Sequence, residues 1–200
     1  MSIRQPLGNV YDKYGTRNPI ERKLVSGFRE HLRALLADLR PRRALDLGCG
    51  EGVVTGQLKE LFPTCQVVAV DVDLGLLKSG AAKVGDQAVV NSLPELCFRR
   101  DTFDLVLLCE VLEHVEQPRE ALVSIRDISA RHFLVSVPNE PIWRICNMMR
   151  LKYVSDLGNT PGHCNHFSAK SLRQMLSPLF EEVNLVKPFP WLMASCVKKQ

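Results

Sequence analysis

The chain has 200 residues, 46% of them hydrophobic and 24% charged, with a formal net charge of +4. These are ordinary globular values, sufficient for one buried core, with too little charge bias to call for a nucleic-acid partner and no run of roughly 18 apolar residues to span a bilayer. The start MSIRQPLGNVYDKYG has no apolar centre of the signal-peptide kind, and seven cysteines, an odd number without a C-x-x-C pair, speak against a disulfide framework or a structural zinc site. A cytoplasmic protein is expected, with Cys65, Cys97, Cys109 and Cys196 reduced and partly buried.

Taken in chain order, residues 1–19 form an arm carrying Tyr11, Tyr14 and Asn18-Pro19. Residues 20–39 then place Leu24, Phe28, Leu32, Leu35, Leu36 and Leu39 at helical spacing. Apolar runs predict strands near 43–48, 66–71, 87–91, 103–109 and 132–137, alternating with helices near 53–61, 74–84 and 118–129. The tail reads as a helix over Ala169 to Leu179, a strand over Glu182 to Val186, a turn at Pro188 to Pro190, and a strand over Trp191 to Val197. Alternation of this kind builds a doubly wound α/β fold, here a seven-stranded, mostly parallel sheet with helices on both faces. Pro-Phe-Pro leaves no length for a crossover, so the last strand should run antiparallel. No repeat or low-complexity segment interrupts this single domain, which leaves residues 139–168 as a long connection at the carboxyl end of the fifth strand, where ligands of open α/β sheets bind. It is expected to be a substrate lid, with Gly158 and Gly162 as hinges.

The first strand ends in ALDLGCGEGVV, and the second, about twenty residues on, in VVAVDVD. Gly48, Gly50 and Gly52 allow positive φ and expose backbone N–H groups at the start of the next helix. Asp71 arrives beside that turn, where a carboxylate can accept ribose hydroxyls. Two cofactors suit such a cradle. A nicotinamide dinucleotide needs G-x-G-x-x-G and helix N–H groups aimed at a pyrophosphate, whereas here the third glycine comes one position early and Glu51, which would repel a pyrophosphate, sits between glycines. With Asp46 adding a second carboxylate, the cradle favours a ligand bearing ammonium and sulfonium charges, S-adenosylmethionine.

On LDLGCGEG, VVAVDVD, NSLPEL, FDLVLLCEVLEHVEQPREAL and FLVSVPN, over roughly residues 43 to 139, the chain resembles the class I S-adenosylmethionine-dependent methyltransferases. Within them it is similar to the small-molecule branch that includes the ubiquinone-biosynthesis methyltransferases. The resemblance implies the Rossmann-like methyltransferase fold, with the seventh strand inserted beside the fifth. It further implies that Asp46, Gly48, Cys49 and Gly50 hold the methionine moiety, that Asp71 takes the ribose, that Val72 packs on adenine, and that Asn91 and Ser92 border the adenine edge. Glu110 falls where the family approaches the methionine amine and the acceptor. The P-G-G turn common before the fifth strand is replaced by DISARHFLVSV.

Three constellations carry candidate chemistry, each with a structural alternative. Glu110, Glu113 and His114 are spaced i, i+3 and i+4, which on one helical face would place two carboxylates and an imidazole together, fit to hold a divalent cation that acidifies a substrate hydroxyl. The ubiquinone-biosynthesis O-methyltransferases and the small-RNA 3′-terminal 2′-O-methyltransferases show a similar E-x-x-E-H with a later histidine. The alternative is a structural turn, with Glu110 serving the cofactor and His114 bonding a neighbouring loop. In GHCNHF, His163 or His166 is a candidate general base or further metal ligand, or else His166 anchors the lid while Ser168 caps a helix. Trp143, Ile145, Met148, Met149, Leu151, Tyr153 and Trp191 suit an apolar acceptor or simply a packed helix face. Together these readings predict methyl transfer to a small molecule, with oxygen as the accepting atom. The alternatives are a metal-assisted RNA 2′-O-methyltransferase and a nicotinamide-dependent oxidoreductase.

Overall fold

The structure, a computed structural model, describes residues 18–92 and 98–199. The arm with Tyr11 and Tyr14, Cys97, and most of the NSLPEL segment lie outside the described residues. Helix α1 (Pro19–Leu36) opens where sequence chemistry dictates: Asn18 Oδ1 accepts the Ile20 N–H at 2.9 Å, and Pro19 sits in the first turn, where a missing N–H costs nothing. It buries Val25, Phe28, Leu32 and Leu36, each worth about 1.5–3 kcal/mol of burial. It stops three residues short of the predicted end, and Leu39 instead lies in the turn before Pro41.

Strands β1 (Arg43–Leu47), β2 (Gln66–Asp71), β3 (Ala88–Val90), β4 (Phe103–Cys109), β5 (Ser129–Pro138), β6 (Phe180–Val186) and β7 (Trp191–Lys198) form one sheet in the order β3-β2-β1-β4-β5-β7-β6. β1 pairs in parallel with β2 and β4, β2 with β3, and β4 with β5. β7 is inserted antiparallel between β5 and β6, as a turn too short for a crossover requires. The strand order reverses between β1 and β4, and ligand crevices in such sheets open at the carboxyl end of that switch point.

The central strands are apolar on both sides, so alternate residues feed two cores. Leu45, Leu47, Val106, Leu108, Phe133 and Val135 join one cluster with helices α5 (Pro118–Arg126) and α7 (Ala169–Leu176). Ala44, Leu105, Leu107 and Leu134 join the other with α1 and α2 (Val53–Leu61). The helix predicted over 74–84 is broken into α3 (Leu74–Ser79) and α4 (Ala81–Val84) at Gly80, where a Cβ would stand 2.5 Å from the Glu51 carbonyl oxygen. Only a residue without a side chain lets that segment pass against the glycine turn. Burial pushes the thiol pKa of Cys65 up to about 11 and of Cys196 to about 12, so both are neutral apolar fillers.

The 139–168 connection is not a bare loop. It contains helix α6 (Ile142–Met149) and a 3₁₀ turn at Val154–Asp156, and its ends are tied by a bridge between Asn139 and Phe167. Gly158 and Gly162 do take positive φ, +78° and +85°. A Cβ on Gly158 would strike the Arg144 carbonyl on α6, and one on Gly162 would lie 3.3 Å from His114 Nδ1. Their glycines serve close packing.

Candidate functional site

At the end of β1 the chain turns through Gly48, Gly50 and Gly52, all at positive φ. Gly48 and Cys49 both donate their N–H to the Val70 carbonyl, at 2.8 and 3.0 Å, which pins the turn to β2. The Gly50 N–H donates to Asp71 Oδ2 at 2.7 Å. At Gly50 an added Cβ would meet nothing within 4 Å, while at Gly48 it would collide with the Val111 side chain. One glycine is therefore required by packing and the other leaves backbone facing open space, as a cradle for a ligand needs.

Asp71 is buried, and its Oδ1 accepts the Asp73 N–H at 2.9 Å. A carboxylate has about four acceptor positions, so Asp71 reaches the crevice with two already committed to backbone. Val72 beside it is 40% exposed, an apolar surface on the rim of the crevice. Asn91 and Ser92 follow β3 on the same side. The Asn91 N–H donates to the Asp71 carbonyl, and Asn91 Oδ1 accepts the Ser92 N–H.

Asp46 departs from the expected placement. It is 1% exposed, and its Oδ2 accepts the Thr55 hydroxyl at 2.6 Å, tying β1 to α2 underneath the turn. One oxygen of its carboxylate is thus committed within the protein beneath the cradle. Burial lifts its pKa to about 6; the Thr55 hydrogen bond opposes the shift and the nearby Asp71 charge adds to it. Cys49 is likewise buried, and desolvation, with Asp46 and Asp71 adding to it, drives its thiol pKa upward.

The E-x-x-E-H segment is not one helical face. Glu110 takes φ +61°, and only Leu112–His114 turns as a short 3₁₀ helix. Glu110 Oε2 accepts the indole N–H of Trp191 at 2.9 Å. Glu113 turns inward and is 1% exposed. His114 Nδ1 lies 3.0 Å from the Gly162 carbonyl; a carbonyl only accepts, so Nδ1 carries the proton of that bond.

The two later histidines are placed differently. His163 packs edge-on against His114 with ring centroids 4.8 Å apart. One ligand atom from each of Glu113, His114 and His163 lies within 4.8 Å of the others. Glu110 and His166, both expected in that set, are not part of it. His166 is exposed with Nε2 2.9 Å from Asn159 Oδ1, so it ties its own loop together. Ser168 caps α7 by accepting the Ser171 N–H, as its position predicts.

His114 and His163 line one end of a cavity of about 500 Å³ between α1, α6 and the start of β7. Its apolar walls include Leu24, Val25, Trp143, Met149 and Trp191. The two indoles lie 5.7 Å apart, and Phe28 backs Trp191 at 5.2 Å. Val111, just before the short 3₁₀ turn that carries Glu113 and His114, is the residue that packs on Gly48, so the segment after β4 lies against the glycine turn.

A polar network that sequence reading missed holds that cavity's far side. Arg150 reaches Glu21 Oε1 at 3.2 Å and Asn147 Oδ1 at 2.6 Å; Asn147 Nδ2 donates to the Gly158 carbonyl and to Thr160 Oγ1, which also accepts the Trp143 indole N–H. Glu21 and Arg150 are 129 positions apart, and no local pattern links them.

A family profile described as a methyltransferase domain matches residues 20–179. The chain belongs to the class I S-adenosylmethionine-dependent methyltransferases. That membership sets aside the nicotinamide-dependent alternative. The methyltransferase is 30% identical over 120 residues to malonyl-acyl-carrier-protein O-methyltransferase of Legionella pneumophila, covering 56% of this chain and 42% of that one. It is 32% identical over 93 residues to the mitochondrial ubiquinone biosynthesis O-methyltransferase of Schizosaccharomyces pombe, covering 43% and 33%. The match thus spans less than half the length of these curated relatives. In fold it is similar to magnesium protoporphyrin IX methyltransferase of Synechocystis with bound S-adenosylhomocysteine, with a TM-score of 0.65 at 16% identity over 92% of this chain and 90% of that one. A Pyrococcus horikoshii protein gives 0.69 at 15% identity over 95% and 97%. No described helix is long and apolar enough to cross a membrane.

Proposed function

We propose that this methyltransferase moves a methyl group to a hydroxyl oxygen of a small, largely apolar acceptor. The observation that carries this reading is the cavity itself, in which indole and aliphatic walls end in the Glu113, His114 and His163 cluster beside the cradle. The names of the two curated relatives, both O-methyltransferases, agree with an oxygen acceptor. In this reading the open backbone at Gly50 admits the methionine end of the cofactor, Asp71 receives the ribose, Val72 lies on adenine, and Asn91 with Ser92 border its edge. The Asp46 and Asp71 carboxylates supply a negative field that suits a cation.

S-adenosylmethionine, when bound, supplies a methyl group on a positively charged sulfur, open to in-line attack. The work left to the chain is alignment and exclusion of water. Trp143 and Trp191 hold the acceptor's apolar body, and Glu110, held by the Trp191 indole, fixes the boundary between acceptor and cofactor. His114, oriented by donating its Nδ1–H to the Gly162 carbonyl, is the candidate to take the hydroxyl proton, and His163 is its neighbour in the cluster.

The same three donors favour a second reading of how that hydroxyl is activated. One carboxylate and two imidazoles within reach of one another suit a divalent cation, so Glu113, His114 and His163 would hold it. Such a cation would supply a Lewis acid that lowers the hydroxyl's pKa. Turnover of a phenol or catechol panel in the presence of EDTA separates the two readings: loss of turnover with cofactor affinity intact supports the cation, and unchanged turnover supports the imidazole base. No methyl transfer to any oxygen acceptor, with transfer to a nitrogen or carbon acceptor instead, would overturn the proposal.

A further inference from the structure

The 3₁₀ turn that carries Glu113 and His114 is only three residues long. It closes through the His114 N–H to the Val111 carbonyl at 3.0 Å and the Val115 N–H to the Leu112 carbonyl at 3.4 Å, and 3₁₀ pieces of this length have poor hydrogen-bond geometry of their own. The chain then leaves in extended form at Val115. No following helical turn donates to the carbonyls of Leu112, Glu113 and Val115, which must find partners elsewhere.

All three are engaged by the loop between α6 and α7. The Glu113 carbonyl accepts the N–H groups of Cys164 and Asn165, at 2.9 and 3.1 Å. The side-chain amide of Asn165 reaches the carbonyls on either side, donating Nδ2 to Leu112 at 3.2 Å and to Val115 at 2.5 Å. An amide nitrogen carries two N–H groups, so this one side chain brackets Glu113 and His114. From the same loop the Gly162 carbonyl meets His114 Nδ1 at 3.0 Å, and the ring of His163 packs edge-on against that of His114. Asn159 braces the loop from within, with Nδ2 3.4 Å from the His163 carbonyl and Oδ1 2.9 Å from His166 Nε2.

We propose that Asn165 is a positioning residue, whose amide spans the 3₁₀ turn and fixes Glu113 and His114 in register with His163, two positions before it in the same loop. This rests on the reading that the cluster activates the acceptor hydroxyl, and it assigns the cluster's geometry to a side chain outside the cavity lining. A carboxylate at this position would set acceptor oxygens against two carbonyl oxygens, and alanine would leave both carbonyls without their donor. Displacing reacting groups by about 1 Å can cost on the order of 10²-fold in rate, so the clamp acts on turnover through the groups it holds.

The full chain carrying Asn165→Ala or Asn165→Asp tests this. The variants differ in size and charge and share the loss of both donors, so an effect common to them belongs to the donors. NMR of the five histidine rings should show a nuclear Overhauser contact between His114 and His163 in the parent chain and its loss in both variants. The His31 and His132 signals should stay in place, and S-adenosylhomocysteine affinity, nearly unchanged, is the check on folding. With S-adenosylmethionine and a phenol acceptor, kcat should fall about tenfold to a hundredfold while KM for the cofactor hardly moves. A ring contact kept in either variant, even with a lower thermal midpoint, would reduce Asn165 to a structural residue and overturn the proposal. Loss of the contact with turnover unchanged supports the positioning and overturns instead the role of the cluster in transfer, so the two readings fail separately.

Discussion

The glycine cradle and the cavity proposed for the acceptor are built in opposite ways. The cradle comes from one strand, one turn and the end of the next strand, and its key contact, Gly50 to Asp71, joins residues 21 positions apart. The cavity is closed by Glu21, Glu113, Trp143, Arg150, His163 and Trp191, contributed by five separate segments. A site made of local backbone tolerates change everywhere except at the backbone itself, whereas a site made of converging side chains fails in small steps. The contrast can be tested by substitution.

The largest effect should come from Gly50→Arg, which fills the cradle and strains a position at φ +53°. Binding of both S-adenosylmethionine and S-adenosylhomocysteine should fall below detection by calorimetry while the thermal midpoint moves little. Asp71→Ala should follow, because it removes both the ligand's acceptor and the anchor of the Gly50 N–H. Retained affinity in either variant would show that the cofactor does not lie on this turn.

In the cavity, His163→Ala should lower kcat by about 10²-fold or more, in the range for a positioned acid, base or metal ligand, while affinity for S-adenosylhomocysteine stays nearly constant. His166→Ala should change kcat only slightly, since that ring is exposed and bonded to Asn159. The reverse ranking would return His166 to the chemistry.

The buried Asp46 offers a finer probe. Its folded pKa, about 6, lies above that of an unfolded aspartate, so the folded state holds its proton more tightly and stability falls as pH rises from about 4 to 6; the displacement amounts to roughly 3 kcal/mol. A cationic cofactor favours the ionised form. Affinity for S-adenosylmethionine should therefore increase as pH rises through about 6, with proton release on binding, and the change should be smaller for S-adenosylhomocysteine, which lacks the sulfonium charge. Asp46→Asn should flatten both profiles; a pH-independent preference for the sulfonium ligand would show that the field of Asp46 plays no part.

The smallest effect is expected at the outer wall. Arg150→Gln breaks the links to Glu21 and Asn147, and because this pair is partly exposed it should raise the acceptor KM a few-fold with kcat and cofactor affinity nearly unchanged. A loss of cofactor affinity instead would mean that the network supports the cradle as well.

The sequence alone determined the alternation of strands and helices, the antiparallel last strand and the glycine turn with Asp71, since each is a short-range consequence of apolar periodicity, turn chemistry or the missing Cβ of glycine. It could not place Asp46, whose burial depends on Thr55 arriving from α2, nor the break at Gly80, forced by the Glu51 backbone of a neighbouring turn. Helical spacing suggested that Glu110, Glu113 and His114 share a face, but the positive φ of Glu110 breaks that face. His163 rather than His166 joins the cluster because the Gly162 carbonyl bonds to His114 and brings the 160s loop to the turn after β4. Local chemistry is written in local sequence, but which distant side chains meet is settled by how the strands pair and which faces the helices bury.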